Sequence, residues 1–191
     1  MEKHRHYDTR TGQSALAWLF LLYVLFVVYG SLVPLQYVDR SLAEAVQAFR
    51  NIPFLQLGIG SRADWVANLL LFIPLTFLAA VLLNAGSKTG RRIWVSCLIA
   101  TLAVLFAVSI EFTQLFFPQR TVSQNDIFAE SLGGLIGLGF FWLFGGRFQS
   151  WFSSLSHTQQ QKDRIDRLLY GYLILLFVFN VLPLDLTLSP V

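Results

Sequence analysis

Charge is missing from long stretches of this chain, and that limits the folds open to it. No Asp, Glu, Lys or Arg occurs in the 28 positions between Arg10 and Asp39, the 23 between Asp64 and Lys88, the 18 between Arg92 and Glu111, the 16 between Glu130 and Arg147, or the 17 between Arg167 and Asp185. A helix needs roughly 20 mostly apolar residues to cross the hydrocarbon of a bilayer. The five runs therefore predict transmembrane helices near 15–34, 65–84, 93–116, 126–146 and 167–184. Hydrocarbon offers the backbone no hydrogen-bond partner, so a spanning segment must close its bonds internally. A membrane β-barrel would read as short alternating segments, whereas these runs are continuously apolar. The expected fold is all-α: a polytopic bundle of five transmembrane helices. Charged residues make up 13% of the chain, against about 25% in soluble domains. That excludes an ordinary soluble enzyme and a disordered chain. The single cysteine, Cys97, excludes an internal disulfide or a cysteine-ligated metal cluster.

The basic residues set the expected orientation, because cytoplasmic loops collect Lys and Arg. Lys3, Arg5 and Arg10 precede the first run, Lys88, Arg91 and Arg92 follow the second, and Arg147, Lys162, Arg164 and Arg167 follow the fourth. The opposite side holds only Arg40, Arg50, Arg62 and Arg120. This predicts a cytoplasmic N-terminal tail over 1–14, one membrane domain over 15–191, and an extracytoplasmic C-terminus. The net charge of +3 is then a topology signal, and no nucleic-acid partner is expected. The first run ends in Gly30-Ser31-Leu32-Val33-Pro34 without a small-x-small cleavage site, so it reads as a retained anchor.

The first extracytoplasmic loop carries structure of its own. Ser41 and Glu44 form a capping-box pair, Val38, Leu42, Val46 and Phe49 recur at helical spacing, and Pro53 ends the run. A short amphipathic helix on the extracytoplasmic surface is expected, either as a plug packed on the bundle or as a lid over a site. Residues 54–61, with Gly58 and Gly60, read as a flexible return to the membrane, and 147–166 as a solvated connector. His4, His6 and His157 have no ligand-like spacing and read as surface residues.

The third and fourth runs carry the functional argument. They are slightly short of a full span, so Glu111 lies inside the extracytoplasmic end of the third helix, and Asp126 and Glu130 lie in the first turns of the fourth. Gln114 shares a face with Glu111 at i+3, and Asp126 with Glu130 at i+4. Asn68 falls at comparable depth on the second helix, and Arg120 and Ser123 lie in the short connection between the third and fourth. A charge at mid-membrane costs about 2.5–3.5 kcal/mol, so such residues face a bundle interior or a wet cavity. Three carboxylates cannot all pair with one local arginine. An outward-facing polar pocket between the second, third and fourth helices is the expectation. Structural readings stand beside it: Ser123-x-x-Asp126 as a helix cap, Arg120 clamping Glu111 or Glu130, and Asn68 bridging helices. Ala129-x-x-x-Gly133-x-x-x-Gly137 is a small-residue stripe, suited to close packing within the chain or to a homodimer.

Taken together, Asn68-x-x-x-Phe72-x-Pro74-Leu75, Ser109-Ile110-Glu111-x-x-Gln114 and Arg120-x-x-Ser123-x-x-Asp126-x-x-x-Glu130-x-x-Gly133-x-x-x-Gly137 resemble the VanZ-like family of bacterial membrane proteins. The likeness covers about residues 60–145, and members commonly carry Asn at the position of Glu130. The resemblance implies a multi-helix protein of the bacterial inner membrane. The family's namesake is associated with low-level resistance to the glycopeptide teicoplanin, which acts on cell-wall precursors outside that membrane. Two functions remain open. One is binding of a lipid-linked or glycopeptide-related envelope ligand without a cofactor, with Arg120 on phosphate and the carboxylates, Asn68, Gln114 and Ser123 on amine or hydroxyl groups. The other is an intramembrane enzyme with Glu111 as base and Asp126 as its catalytic partner, or with Asp126 and Glu130 holding a divalent cation such as Mg²⁺. A transporter is disfavoured, because no polar residues continue to the cytoplasmic side.

Overall fold

The computed structural model describes residues 2–54, 59–84, 87–157 and 171. The chain divides into two compact units, Met1–Ser153 and Ser154–Val191. Five helices are described: α1 (Glu2–Leu32), α2 (Leu42–Arg50), α3 (Ile59–Leu83), α4 (Thr89–Gln114) and α5 (Gln124–His157). No strand occurs among the described residues. Segments of α1, α3, α4 and α5 (Gln13–Leu32, Arg62–Leu83, Thr89–Gln114 and Gln124–Phe152) are long and apolar enough to cross a membrane. The predicted fifth span, 167–184, lies outside the described residues except for residue 171.

Helix boundaries follow local chemistry. The α1 helix stops at Leu32, just ahead of Pro34, whose ring cannot continue a helix. At α2 the predicted capping box is complete: the Glu44 amide donates to Ser41 Oγ and the Ser41 amide donates to a Glu44 carboxylate oxygen. The start of α3 at Ile59 corrects one expectation, since Gly60 is helical and not part of a return loop. A second correction concerns α5, which continues to His157 through the segment expected to be a connector. No proline occurs between Pro118 and Pro183 to remove a backbone donor. Phe141, Gly145, Phe148 and Phe152 also keep one apolar stripe running, and Phe148 meets Phe77 edge-on with ring centroids 5.1 Å apart.

Interhelical contacts set the register. Leu16 shares one buried cluster with Leu78 and Val81, and Val27 shares another with Phe72, so α1 and α3 run antiparallel. On α5, Gly133 meets Leu69, and Gly137 meets Ile73 and Thr76, so α3 and α5 run parallel. A Cβ at either glycine would overlap an α3 carbonyl oxygen. The small-residue stripe is thus occupied by α3 of the same chain. Thr76 Oγ1 donates to the Gly134 carbonyl at 2.7 Å across this contact. Pro74 lies inside α3 and leaves the carbonyl four residues back without its helical donor. At the adjacent Leu71, the Tyr23 hydroxyl donates to the carbonyl at 3.0 Å, which ties α1 to α3 beside the proline.

Candidate functional site

The α4–α5 connection brings the predicted polar residues together. Glu111, near the end of α4, is 1% exposed. Its Oε2 accepts a 3.0 Å hydrogen bond from the Ser123 amide, immediately before α5. Ser123 Oγ donates to Asp126 Oδ2 at 2.6 Å and accepts from the Asp126 amide at 3.2 Å. The cap reading of Ser123 and Asp126 therefore holds, with one substitution of roles. In an ordinary capping box the side chain of the third helical residue accepts from the cap amide; here Glu111, from another helix, takes that amide.

Glu130 lies one turn further along α5 and is also 1% exposed. The carboxyl groups of Glu111, Asp126 and Glu130 lie close enough to share one locality. Arg120 is close enough to attract Glu111, yet its Nε is buried with no hydrogen-bond partner. Glu111 Oε1 and Glu130 Oε2 are buried and unpartnered as well. Gln114 is buried and donates to the Ser31 carbonyl at 2.9 Å, joining α4 to the end of α1. Asn68 is half-buried. Its neighbour Leu69 lies against Gly133, which places residue 68 at the level of Glu130, but no hydrogen bond joins Asn68 to the other site residues.

The segment between α1 and α3 is fastened to this end of the bundle. The Val38 amide donates to the Phe116 carbonyl at 2.9 Å, and the Gln124 amide donates to the Pro53 carbonyl at 3.1 Å. Gln124 Nε2 also reaches the Ile52 carbonyl, and Gln119 Nε2 reaches Gln36 Oε1. Phe49 of α2 meets Phe112 of α4 edge-on, and Ala45 is fully buried. Residues 36–53 are therefore bonded on both flanks of the turn that carries Arg120.

Two buried polar residues at this end were not among those predicted. Asn125 is 4% exposed; its place beside Asp126 in the first turn was the available signal. Ser31 is 3% exposed with an unpartnered Oγ, and nothing in its apolar neighbourhood marked it. Among the described residues no group of three or more His, Cys, Asp or Glu side chains is arranged to hold a metal ion.

Long apolar helices and a buried polar cluster at one bundle end define a helical membrane protein. The family model described as VanZ/LLP1 matches residues 16–145, and the chain belongs to that family. No curated protein and no solved structure gave a match.

Proposed function

We propose that this chain is a multi-pass protein of the bacterial inner membrane that binds a cell-envelope ligand, lipid-linked or glycopeptide-related, at its carboxylate-rich end. In this reading the N-terminus is cytoplasmic and the site faces outward. One observation carries it: Glu111 Oε1, Glu130 Oε2, Arg120 Nε and Ser31 Oγ are buried at one end of the bundle without partners. Buried polar atoms are nearly always hydrogen-bonded, and leaving one bare costs about 1–3 kcal/mol. A ligand with phosphate for Arg120 and amine or hydroxyl donors for the two glutamates would satisfy the set. Ser123 and Gln114 then hold the site in shape, and Asn68 lies at its edge.

The test uses the full chain in nanodiscs with a lipid-linked cell-wall precursor as probe. Glu111→Gln keeps an acceptor for the Ser123 amide, so the fold should survive while affinity falls about tenfold. Glu111→Ala also strips that amide of its acceptor and should cost about 1–3 kcal/mol of stability. A strain expressing the chain should tolerate teicoplanin better than one expressing Glu111→Gln. Equal precursor affinity for the wild type and Glu111→Gln overturns the reading.

The second reading is an enzyme acting on a lipid-linked substrate. The unequal surroundings of the carboxylates favour it: Glu111 and Glu130 are buried, whereas Asp126 is half-buried and bonded to Ser123. Turnover of the same precursor, lost on adding a chelator if Asp126 and Glu130 hold a divalent cation, would establish it.

A further inference from the structure

The opposite end of the bundle carries a second polar feature. A cavity of about 200 Å³ is lined by Asn84, Ser87, Arg92, Phe141, Gly146 and Gln149. That is room for roughly six waters at about 30 Å³ each. Asn84 is 5% exposed; its Nδ2 donates to the Ala80 carbonyl at 3.0 Å, but its Oδ1 is buried with no partner. An acceptor left bare beside a cavity asks for a donor from outside the chain.

Arg92 supplies the complementary chemistry. Its guanidinium lies over Phe141 and Trp142, 4.8 Å and 4.7 Å from the ring centroids. The two rings hold the guanidinium against α5, where its N–H groups can make the two-oxygen contact that suits phosphate. No acidic residue occurs on α3 after Asp64, on α4 before Glu111, or on α5 after Glu130, so these helices offer no carboxylate here. Lys88, Arg91 and Arg147 add positive charge nearby, and no side chain caps the first turn of α4. Along α5 towards the bundle middle, Trp142, Leu143 and Phe144 are exposed apolar residues, where acyl chains would lie.

We propose that this corner binds the headgroup of a membrane phospholipid, with Arg92 on the phosphate and a donor of the headgroup, an ammonium N–H or a glycerol hydroxyl, on Asn84 Oδ1. Phosphatidylglycerol and phosphatidylethanolamine have both groups. Phosphatidylcholine has the phosphate but no N–H or O–H donor, which makes it the matched control.

Delipidated full-length protein is titrated with each lipid and read by native mass spectrometry, with glycerol 3-phosphate as a soluble competitor. The donor-bearing lipids should bind about tenfold more tightly than phosphatidylcholine. Gly146→Leu should erase that preference: Gly146 lines the cavity and a Cβ there meets nothing within 4 Å, so the side chain is added on the cavity wall. Arg92→Gln should weaken all three lipids. Gly139→Leu, at another open position outside the cavity, should change nothing. The proposal fails if the wild type shows no lipid preference, or if Gly146→Leu retains it. It fails equally if glycerol 3-phosphate binds, in a manner lost in Gly146→Leu, while the lipids are not distinguished, since the ligand is then a soluble ester.

Discussion

Gly137→Ala should destabilise this protein more than a methyl group ordinarily would. The new Cβ would overlap the Ile73 carbonyl oxygen and Thr76 Oγ1. Ordinary contact at a Cβ begins near 3.4 Å, so α3 and α5 must separate by on the order of 1 Å, and backbone cannot yield as a flexible side chain does. Overpacking of this kind costs about 1–3 kcal/mol. Separation also stretches the Thr76–Gly134 bond, now 2.7 Å, and interhelical bonds in lipid average about 0.6 kcal/mol. Against this, Ala is favoured over Gly within a helix by about 1 kcal/mol. The net loss is about 0.6–2.6 kcal/mol. Gly139→Ala shares the propensity gain and meets no neighbour, so the two variants should differ by about 1.6–3.6 kcal/mol. The assay is surfactant-induced unfolding of purified protein, followed by far-ultraviolet circular dichroism. If Gly137→Ala is as stable as Gly139→Ala, the α3–α5 contact described here is wrong.

Further outcomes follow from the same contacts. Gln114→Leu removes the bond to the Ser31 carbonyl and should cost about 0.6–1.7 kcal/mol in the same unfolding assay; no loss would mean that α1 is held without it. Ser41→Ala abolishes the capping box and should weaken the first turn of α2 by about 1 kcal/mol. Hydrogen exchange at the Glu44 amide should then accelerate about fivefold, while the α4 core amides near Ala103 stay unchanged.

Much of the architecture was legible because bilayer physics is coarse: a charge-free run of sufficient length reads as a helix whatever it touches. The carboxylate cluster was legible for a related reason, since Glu111, Asp126 and Glu130 interrupt runs that are otherwise too apolar to hold them. Helix faces were not legible. In a soluble helix one side is apolar and marks the core, but here both sides are apolar, so nothing in the pattern announces that Gly137 meets Ile73 or that Tyr23 serves Leu71. The continuation of α5 past Arg147 was missed because its polar residues look like a connector until Phe148 and Phe152 are seen packed on the core. The role of Glu111 towards Ser123 was hidden because a capping box is normally completed within one helix, and this one borrows its acid from another. Arg92 read only as a topology charge; its stacking on Phe141 and Trp142 depends on a meeting between distant residues.

The two oxygens of Glu111 have separate employments. One anchors the beginning of a neighbouring helix, and the other is uncommitted. Under the proposed function a guest would dock on the idle oxygen while its twin keeps hold of the scaffold, so loading would not require the joint to come undone.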